Sequence, residues 1–117
     1  MSLALRSLLF LCALLCAPLA RAETPPGYRY CSLYQAEGAT IYYSAVFPQD
    51  PNQRGVGAEN GFNAYVSAQH KPGAHGAHCF GPYPSAAEAE QEANRSIGLE
   101  RIAGRSIVMT YWRYSGG

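Results

Sequence analysis

The chain has 117 residues, of which 48% are hydrophobic and 15% charged, and its formal net charge is +1. This length suits one modest hydrophobic core, and the near balance of charge excludes a general attraction to nucleic acid or to an acidic membrane surface. Residues 1–22 have the pattern of a secretory signal peptide, because an apolar run at 8–17 follows the basic Arg6 and precedes the small-x-small sequence at 20–22. The run is too short for a membrane-spanning helix, which needs about 20 apolar residues.

We expect cleavage between Ala22 and Glu23, which would export residues 23–117 as a single small αβ domain to the periplasm or to the outside. A lipoprotein signal is the alternative, since Cys12 and Cys16 lie in the apolar run, but each follows a leucine where lipid modification needs a small residue. The exported domain would keep seven of the nine basic residues against all eight acidic ones, a net charge of −1. We expect a monomer that binds no nucleic acid and is not an integral membrane protein.

Export would also remove two of the four cysteines and leave Cys31 and Cys79. A single pair of cysteines in a small exported domain is typical of one disulfide bond, because an oxidising compartment keeps thiols paired. In the chain-entropy model, closing a loop of this size stabilises the fold by about 4 kcal/mol. That contribution is large beside a usual net stability of roughly 5–15 kcal/mol.

The rest of the chain alternates strand patterns with two helix patterns. Period-two alternation and many β-branched or aromatic residues predict strands at 28–34 and 39–47, which a turn at 35–38 joins into an antiparallel hairpin. After a polar loop at 48–57, the patterns predict a helix at 59–70, a strand at 77–81, a helix at 82–98 and a strand at 105–114. The order β-β-α-β-α-β predicts an α+β two-layer sandwich with a four-stranded, mostly antiparallel sheet and two helices on one face.

Local details refine these elements. The second helix has the capping-box pattern of Ser85 followed by Glu88, in which each side chain satisfies a backbone donor of the first turn. Its apolar stripe is narrow and consists of Ala86, Ala89, Ala93 and Ile97. Gly61 weakens the prediction of the first helix. Alternation along the second strand predicts one face made of Ile41, Tyr43, Ala45 and Phe47.

The stretch HKPGAHGAHC at 70–79 brings three histidines and a cysteine together in the sequence. His70, His75 and His78 are a candidate zinc or copper site, since such sites take three or four ligands from histidine, cysteine or carboxylate. Cys79 is the obvious fourth ligand, but a cysteine in a disulfide offers no thiolate. A catalytic Cys79–His78 pair is disfavoured because neighbours on a strand point to opposite faces. Metal binding is therefore the alternative function, and we expect no cofactor.

The acidic residues suggest no catalytic arrangement. Glu88 and Glu92 share a helix face with Arg95 nearby, which is typical of a solvated surface. Glycoside hydrolysis needs two carboxylates opposed across a cleft. Because no acid, base and nucleophile stand in a recognisable pattern, we expect that the protein is not an enzyme, and a small hydrolase is the third hypothesis.

Tyrosine is the most unusual component, and all nine tyrosines lie in 23–117. Those on the first strand share a face, where they either stack on sugars or bases or fill a half-buried sheet with their hydroxyls in water. Arginines on the strands, including Arg105, would add donors for a glycan or a carboxylate. The predicted ligand face comprises Tyr28, Tyr30, Tyr34, Arg29 and Arg113. The sequence thus predicts a non-catalytic binding or accessory module that uses this face, or the 48–57 loop, against a protein or a cell-wall glycan.

The ordered segments YCSLY, IYYSAVF, FNAYV, AHCF, SAAEAEQEANRSI and VMTYWRY resemble a family of small exported bacterial proteins and modules with no assigned activity. The resemblance covers most of 23–117 and departs from the family pattern where Tyr111, in place of glycine, precedes Trp112. It implies a disulfide between Cys31 and Cys79 and a compact αβ fold, and it brings no catalytic residues. The predicted architecture is also similar to the sporulation-related (SPOR) peptidoglycan-binding domain, although a shared fold does not determine function.

Overall fold

The computed structural model describes residues 26–35, 37–50, 56–70 and 76–116. These residues form β1 (Gly27–Tyr34), β2 (Thr40–Tyr43), β3 (Phe47–Gln49), α1 (Gly57–His70), β4 (His78–Tyr83), α2 (Ala86–Ile102) and β5 (Ser106–Met109). The predicted signal peptide, the centre of the predicted 48–57 loop and His75 lie outside the described residues. None of the described helices is long and apolar enough to cross a membrane.

The fold class is α+β, as predicted, but the sheet is mixed and has five strands rather than four. The C-terminal half of β1 pairs antiparallel with β2 and its N-terminal half with β3, so these two short strands follow each other along one edge of β1. β4 pairs antiparallel with the other edge of β1. β5 pairs parallel with β2. This makes β4 and β5 parallel to each other, and α2 is the helical crossover that such a connection needs.

The predicted strand 39–47 is divided because it contains one residue too many for regular pairing. Ser32 pairs with Tyr43, whereas Arg29, three residues earlier on β1, pairs with Phe47, four residues later on the second strand. An extra residue of this kind is a β-bulge, and it exchanges the faces to which the following side chains point. The prediction that Phe47 shares a face with Tyr43 is therefore wrong, since the two residues lie in separate buried clusters.

The two helices cover opposite faces of the sheet, so the prediction of two layers with both helices on one face is also wrong. Alternate strand residues separate into two buried clusters. The cluster beneath α1 comprises Cys31, Leu33, Tyr42, Phe47, Ala58, Phe62, Val66 and Cys79. The cluster beneath α2 comprises Tyr30, Ile41, Tyr43, Ala93 and Ile97. Because the strands carry apolar residues on both faces, the sheet needs a covering layer on each side.

The predicted disulfide between Cys31 and Cys79 is present and lies in the cluster beneath α1. We call the two buried clusters, each with the helix that covers it, the α1 layer and the α2 layer. The two cysteines are directly paired residues of β1 and β4, so the bond links adjacent strands at one level of the sheet. The first strand consequently lies beside the strand that follows α1, as a bridge between these cysteines requires.

Helix α1 contains Gly57 and Gly61 because aromatic rings from the end of the chain lie against it. A Cβ on Gly61 would be 3.0 Å from Cζ2 of Trp112, and a Cβ on Gly57 would be 2.6 Å from the hydroxyl oxygen of Tyr114. Trp112 also packs against Phe62 of the same helix, with ring centroids 5.3 Å apart. The glycine that weakens the sequence prediction therefore makes room for the tryptophan.

The N-cap of helix α2 is the predicted Ser85, but the helix begins at Ala86 and not at the predicted residue 82, because Pro82 and Tyr83 belong to β4. The hydroxyl of Ser85 accepts a hydrogen bond from the backbone N–H of Glu88 at 3.1 Å, which satisfies one of the free donors of the first turn. The small residues Ala89 and Ala93 are buried and let the helix lie close to the sheet. The helix continues to Ile102, four residues beyond the predicted end at 98.

The predicted last strand at 105–114 is regular only over β5. Beyond it, Thr110 N donates to the carbonyl oxygen of Tyr43, and Ala45 N donates to that of Trp112, both at 2.9 Å. Tyr111 lies between these two bonds with a φ of 60°, a conformation that non-glycine residues rarely adopt. The segment thus stays attached to the sheet but leaves regular strand geometry at Tyr111.

Candidate functional site

Two surface grooves flank α2 where it crosses the sheet. The first, which we call the β4 groove, has a volume of about 260 Å³ and lies between α2 and the strands β1 and β4. The second, the β5 groove, has a volume of about 340 Å³ and lies between α2 and the segment that continues β5. Both grooves are on the face that carries the predicted tyrosines, so the helix divides that face into two separate surfaces.

The floor of the β4 groove consists of three stacked aromatic rings. Tyr30 lies 5.0 Å from Phe80 and 6.2 Å from Tyr83 between ring centroids, with interplanar angles of 21° and 8°. Tyr30 is 3% exposed, whereas Phe80 and Tyr83 are half-buried and form the accessible part of the floor. The groove therefore offers the accessible parts of two aromatic rings, those of Phe80 and Tyr83, to a ligand.

A local irregularity of the sheet brings these rings to one face. Tyr30 pairs with Phe80 and Tyr28 pairs with Tyr83, so the register shifts by one residue between the two pairs. The shift occurs at Gly81, which has a φ of 110° and whose Cβ, if present, would be 2.7 Å from the carbonyl oxygen of Tyr28. Without the shift, Tyr83 would point to the α1 face.

Burial controls the ionisation of the floor. It raises the pKa of Tyr30 to about 12, with smaller contributions from the neighbouring Tyr83 and Tyr43 hydroxyls that outweigh the opposing hydrogen bond with Ser96. Burial also raises the pKa of Tyr43, whose hydroxyl is 2.8 Å from the hydroxyl oxygen of Ser96. At neutral pH these phenols are uncharged, and their hydroxyls are held by partners within the fold.

The wall of the β4 groove is polar and comes from α2. Glu92 and Arg95 form an exposed ion pair with a nitrogen–oxygen distance of 3.7 Å. Glu100 accepts a hydrogen bond from the hydroxyl of Tyr34 at 2.6 Å and also pairs with Arg105. The bond to Glu100 is the main cause of the raised pKa of Tyr34. Of these groups, Arg95 reaches furthest into water and is the one best placed to donate to a ligand.

The predicted ligand residues do not form one surface. Tyr28, Tyr30 and Tyr34 point to the α2 face, where Tyr30 is part of the β4 groove floor and Tyr34 is held by Glu100. Arg29 lies on the opposite face, and Arg113 lines the β5 groove. The predicted ligand face included Tyr30 but not Phe80 or Tyr83. The register shift that turns Tyr83 to this face interrupts the period-two alternation, so the sequence pattern does not reveal it.

The guanidinium of Arg29 is held by hydrogen bonds within the fold rather than presented to a ligand. Its Nη2 donates to Glu59 Oε1 at 2.8 Å and to the carbonyl oxygen of Cys79 at 2.9 Å, and its Nη1 donates to Gln49 at 2.8 Å. The side chain is 15% exposed, while the second carboxylate oxygen of Glu59 is buried without a hydrogen-bond partner. Arg29 thereby ties β1 to α1, β3 and β4 on the α1 face.

The two described histidines of the candidate metal site lie on different faces of the sheet. The ring of His70 is 4.9 Å from that of Tyr42, which belongs to the α1 layer. The ring of His78 is 4.5 Å from that of Phe80, which packs in the α2 layer. His75 lies outside the described residues, and among the described ones no three His, Cys, Asp or Glu side chains are placed to share a metal ion.

Comparison with protein-family models, with curated proteins and with solved structures finds no match to this chain. The two grooves and the residues that line them are therefore the features of this fold that bear on its function. Of the two grooves, the β4 groove contains Tyr30, a tyrosine of the predicted ligand face.

Proposed function

We propose that the protein is a non-catalytic, exported binding module that takes a glycan in the β4 groove. The observation that supports this function is the row of stacked rings formed by Tyr30, Phe80 and Tyr83 beneath a charged helix wall. Sugar rings present apolar C–H faces that pack on aromatic rings, and their hydroxyls bond to charged side chains at the rim. Phe80 and Tyr83 supply the first kind of contact, and Arg95 with Glu92 supplies the second.

The size of the groove favours one unit of a polymer over a whole small molecule. Pockets that enclose drug-sized ligands usually measure about 300–1,000 Å³. The β4 groove has a volume of about 260 Å³ and is open along one side of α2. A ligand of repeating units, such as a cell-wall glycan, would place one or two sugars on the rings and extend beyond the groove.

A binding role suits this groove better than hydrolysis. Its carboxylates, Glu92 and Glu100, come from the same helix and therefore stand on the same wall. Glu92 is paired with Arg95, and Glu100 is paired with Arg105. Glycoside hydrolysis needs an acid and a second carboxylate on opposite sides of the scissile bond.

The disulfide and the signal-peptide pattern support the exported location in this proposal. The buried disulfide between Cys31 and Cys79 is the kind of bond that persists in oxidising compartments outside the cytoplasm. The signal-peptide pattern at residues 1–22 would direct the chain there. In a bacterium, as the resemblance implies, the cell-wall glycan would be accessible in that compartment.

The test uses two forms of the ligand: an N-acetylglucosamine tetrasaccharide in solution, followed by NMR, and insoluble cell-wall sacculi in a co-sedimentation assay. We expect binding that Tyr83→Ala weakens at least tenfold, because loss of one stacking ring costs about 1.4 kcal/mol. Tyr65→Ala is the matched control, since Tyr65 is a half-buried tyrosine of the α1 layer. Absence of binding to either glycan, or an equal loss in both variants, would overturn the proposal.

A further inference from the structure

The outer edge of β5 is a free sheet edge. β5 ends the strand order and, within the described chain, pairs only with β2. Its Ser106 N donates to the carbonyl oxygen of Ala39, and Thr110 N donates to that of Tyr43, both toward β2 at 2.9 Å. Backbone groups alternate in direction along a strand, so the N–H and C=O groups of Ile107 and Met109 point away from the sheet. These groups can pair with another extended chain.

The β5 groove lies directly beside this edge. Its helix wall includes Ala93 and Ile97, and its sheet side includes Met109, which is 39% exposed. A strand added to β5 would direct every second side chain to the α2 face, the same face on which the groove of about 340 Å³ opens between Met109 and residues 44–46. Main-chain pairing at an edge combined with side-chain pockets beside it is the recognition mode called β-augmentation.

Tyr111 is held in an unusual conformation at the rim of this groove. Its φ of 60° is costly for a non-glycine residue, yet its side chain is 76% exposed. Hydrogen bonds on either side, from Thr110 N and Thr110 Oγ1 to Tyr43 and from Ala45 N to Trp112, impose the conformation. The fold thus fixes an aromatic ring in water, where a bound chain would cover it.

Arg113 supplies the positive charge of the β5 groove, in which Glu90 supplies a negative one. Arg113 is exposed in the β5 groove, and no hydrogen bond or ion pair joins it to another residue that the structure describes. The guanidinium of Arg113 can bind a carboxylate through two parallel hydrogen bonds. A second copy of β5 would not supply one, since the segment 104–116 contains two arginines and no acidic residue.

We propose that the β5 edge and the β5 groove bind an extended peptide segment of a partner protein, which adds a strand to β5 and places a carboxylate at Arg113. This site is separate from the β4 groove and does not depend on glycan binding. The two sites together would make the module a link between a protein and a glycan.

The test uses a displayed library of random linear nine-residue peptides, from which those that bind the folded, disulfide-bonded protein are selected. We expect enrichment of peptides with alternating apolar residues and an acidic group. A synthetic, fluorescently labelled copy of the most enriched peptide should lose at least tenfold in affinity for the Arg113→Glu variant. Arg101→Glu, which reverses an exposed charge on the last turn of α2, is the matched control and should leave the affinity unchanged.

Hydrogen exchange distinguishes strand addition from simple charge attraction. The amides of Ile107 and Met109 should exchange at least tenfold more slowly with the peptide bound, while those of Ser106 and Val108, already directed toward β2, should change little. Failure to enrich any peptide, equal affinity for both charge variants, or unchanged exchange at Ile107 and Met109 would overturn the proposal. Sedimentation showing dimers that the peptide cannot dissociate would assign the edge to a second copy instead. Tyr83→Ala should not alter peptide binding, which separates this result from the glycan test.

Discussion

Ser44 shows how one side chain maintains the central pairing where the second strand breaks. Its backbone N–H donates to the carbonyl oxygen of Cys31 at 2.9 Å, and its hydroxyl accepts from Cys31 N at 2.7 Å. The same hydroxyl donates to the carbonyl oxygen of Ala45 at 2.8 Å. A serine oxygen thus replaces the backbone carbonyl that the bulge displaces, and the buried amide beside the disulfide keeps a partner.

Replacing Ser44 with alanine should lower the free energy of unfolding by about 1–3 kcal/mol, because the buried amide of Cys31 loses its acceptor. Ser67→Ala is the control, since Ser67 is exposed on α1 and should change stability by less than about 0.5 kcal/mol. Denaturant unfolding of both variants measures the difference. Equal stability of the two variants would show that the hydroxyl of Ser44 is dispensable.

A second prediction at this scale concerns Tyr30, whose pKa burial raises to about 12 from an ordinary value of 10.0. Between these values the folded protein keeps a proton that the unfolded chain releases, so stability is complete below pH 10 and falls as the pH rises toward 12. Tyr30→Phe cannot ionise and should show a shallower decline in the free energy of unfolding over this range. Tyr43 and Tyr34, whose pKa values are also raised, should maintain part of the slope. An unchanged slope in Tyr30→Phe would contradict this assignment.

At the scale of elements, the two helices differ in what their glycines do. Gly61 of α1 lies under Trp112, whereas a Cβ on Gly98 of α2 would have no other atom within 4 Å. Helix propensity alone favours alanine over glycine by about 1 kcal/mol at either position. Packing against the tryptophan therefore decides the outcome at one position and has no influence at the other.

We predict opposite effects of the same substitution in the two helices. Gly98→Ala should raise the free energy of unfolding by about 0.5–1 kcal/mol. Gly61→Ala should lower it by about 1–3 kcal/mol, because the new methyl group overpacks against a ring already held by Phe62 and Phe47. Thermal or denaturant unfolding of the two variants measures both changes. Stabilisation by Gly61→Ala would mean that Trp112 can move away without loss.

At the scale of the whole molecule, a sheet with a helix layer on each face is built from a short chain. The core is divided between two small clusters, one under each helix. Small domains bury a lower fraction of their surface than large ones and often need a cross-link. The bond between Cys31 and Cys79 serves this purpose in the α1 layer and closes a sequence separation of 48 residues.

Removing this bond should destabilise the entire domain. The chain-entropy model predicts a loss of about 4 kcal/mol for a loop of this length, a large part of a typical net stability of about 5–15 kcal/mol. The double variant Cys31→Ala/Cys79→Ala, compared with the oxidised wild type by denaturant unfolding, measures the loss. Mass spectrometry with and without reductant verifies the bond in the wild type. A loss below about 1 kcal/mol would show that the two packed layers suffice without it.

Local information in the sequence was enough for the α+β class, both helices and the first hairpin, whereas the disulfide was predicted from the count of cysteines that remain after the signal-peptide pattern. The Ser85 cap and the alternation of Cys31 and Leu33 against Tyr30 involve residues close together in the chain. Such local features can be predicted from the order of the residues alone. The bulge at 44–46, the separation of the helices onto two faces and the parallel position of β5 were decided only in the tertiary structure. One extra residue reverses the faces of a strand, and a pattern apolar on both faces does not say which helix covers which face. The aromatic floor at Phe80 and Tyr83 and the groove at Arg113 depend on those tertiary features. The sequence therefore indicated which residue types could bind a ligand, but only the folded chain shows which of them lie together.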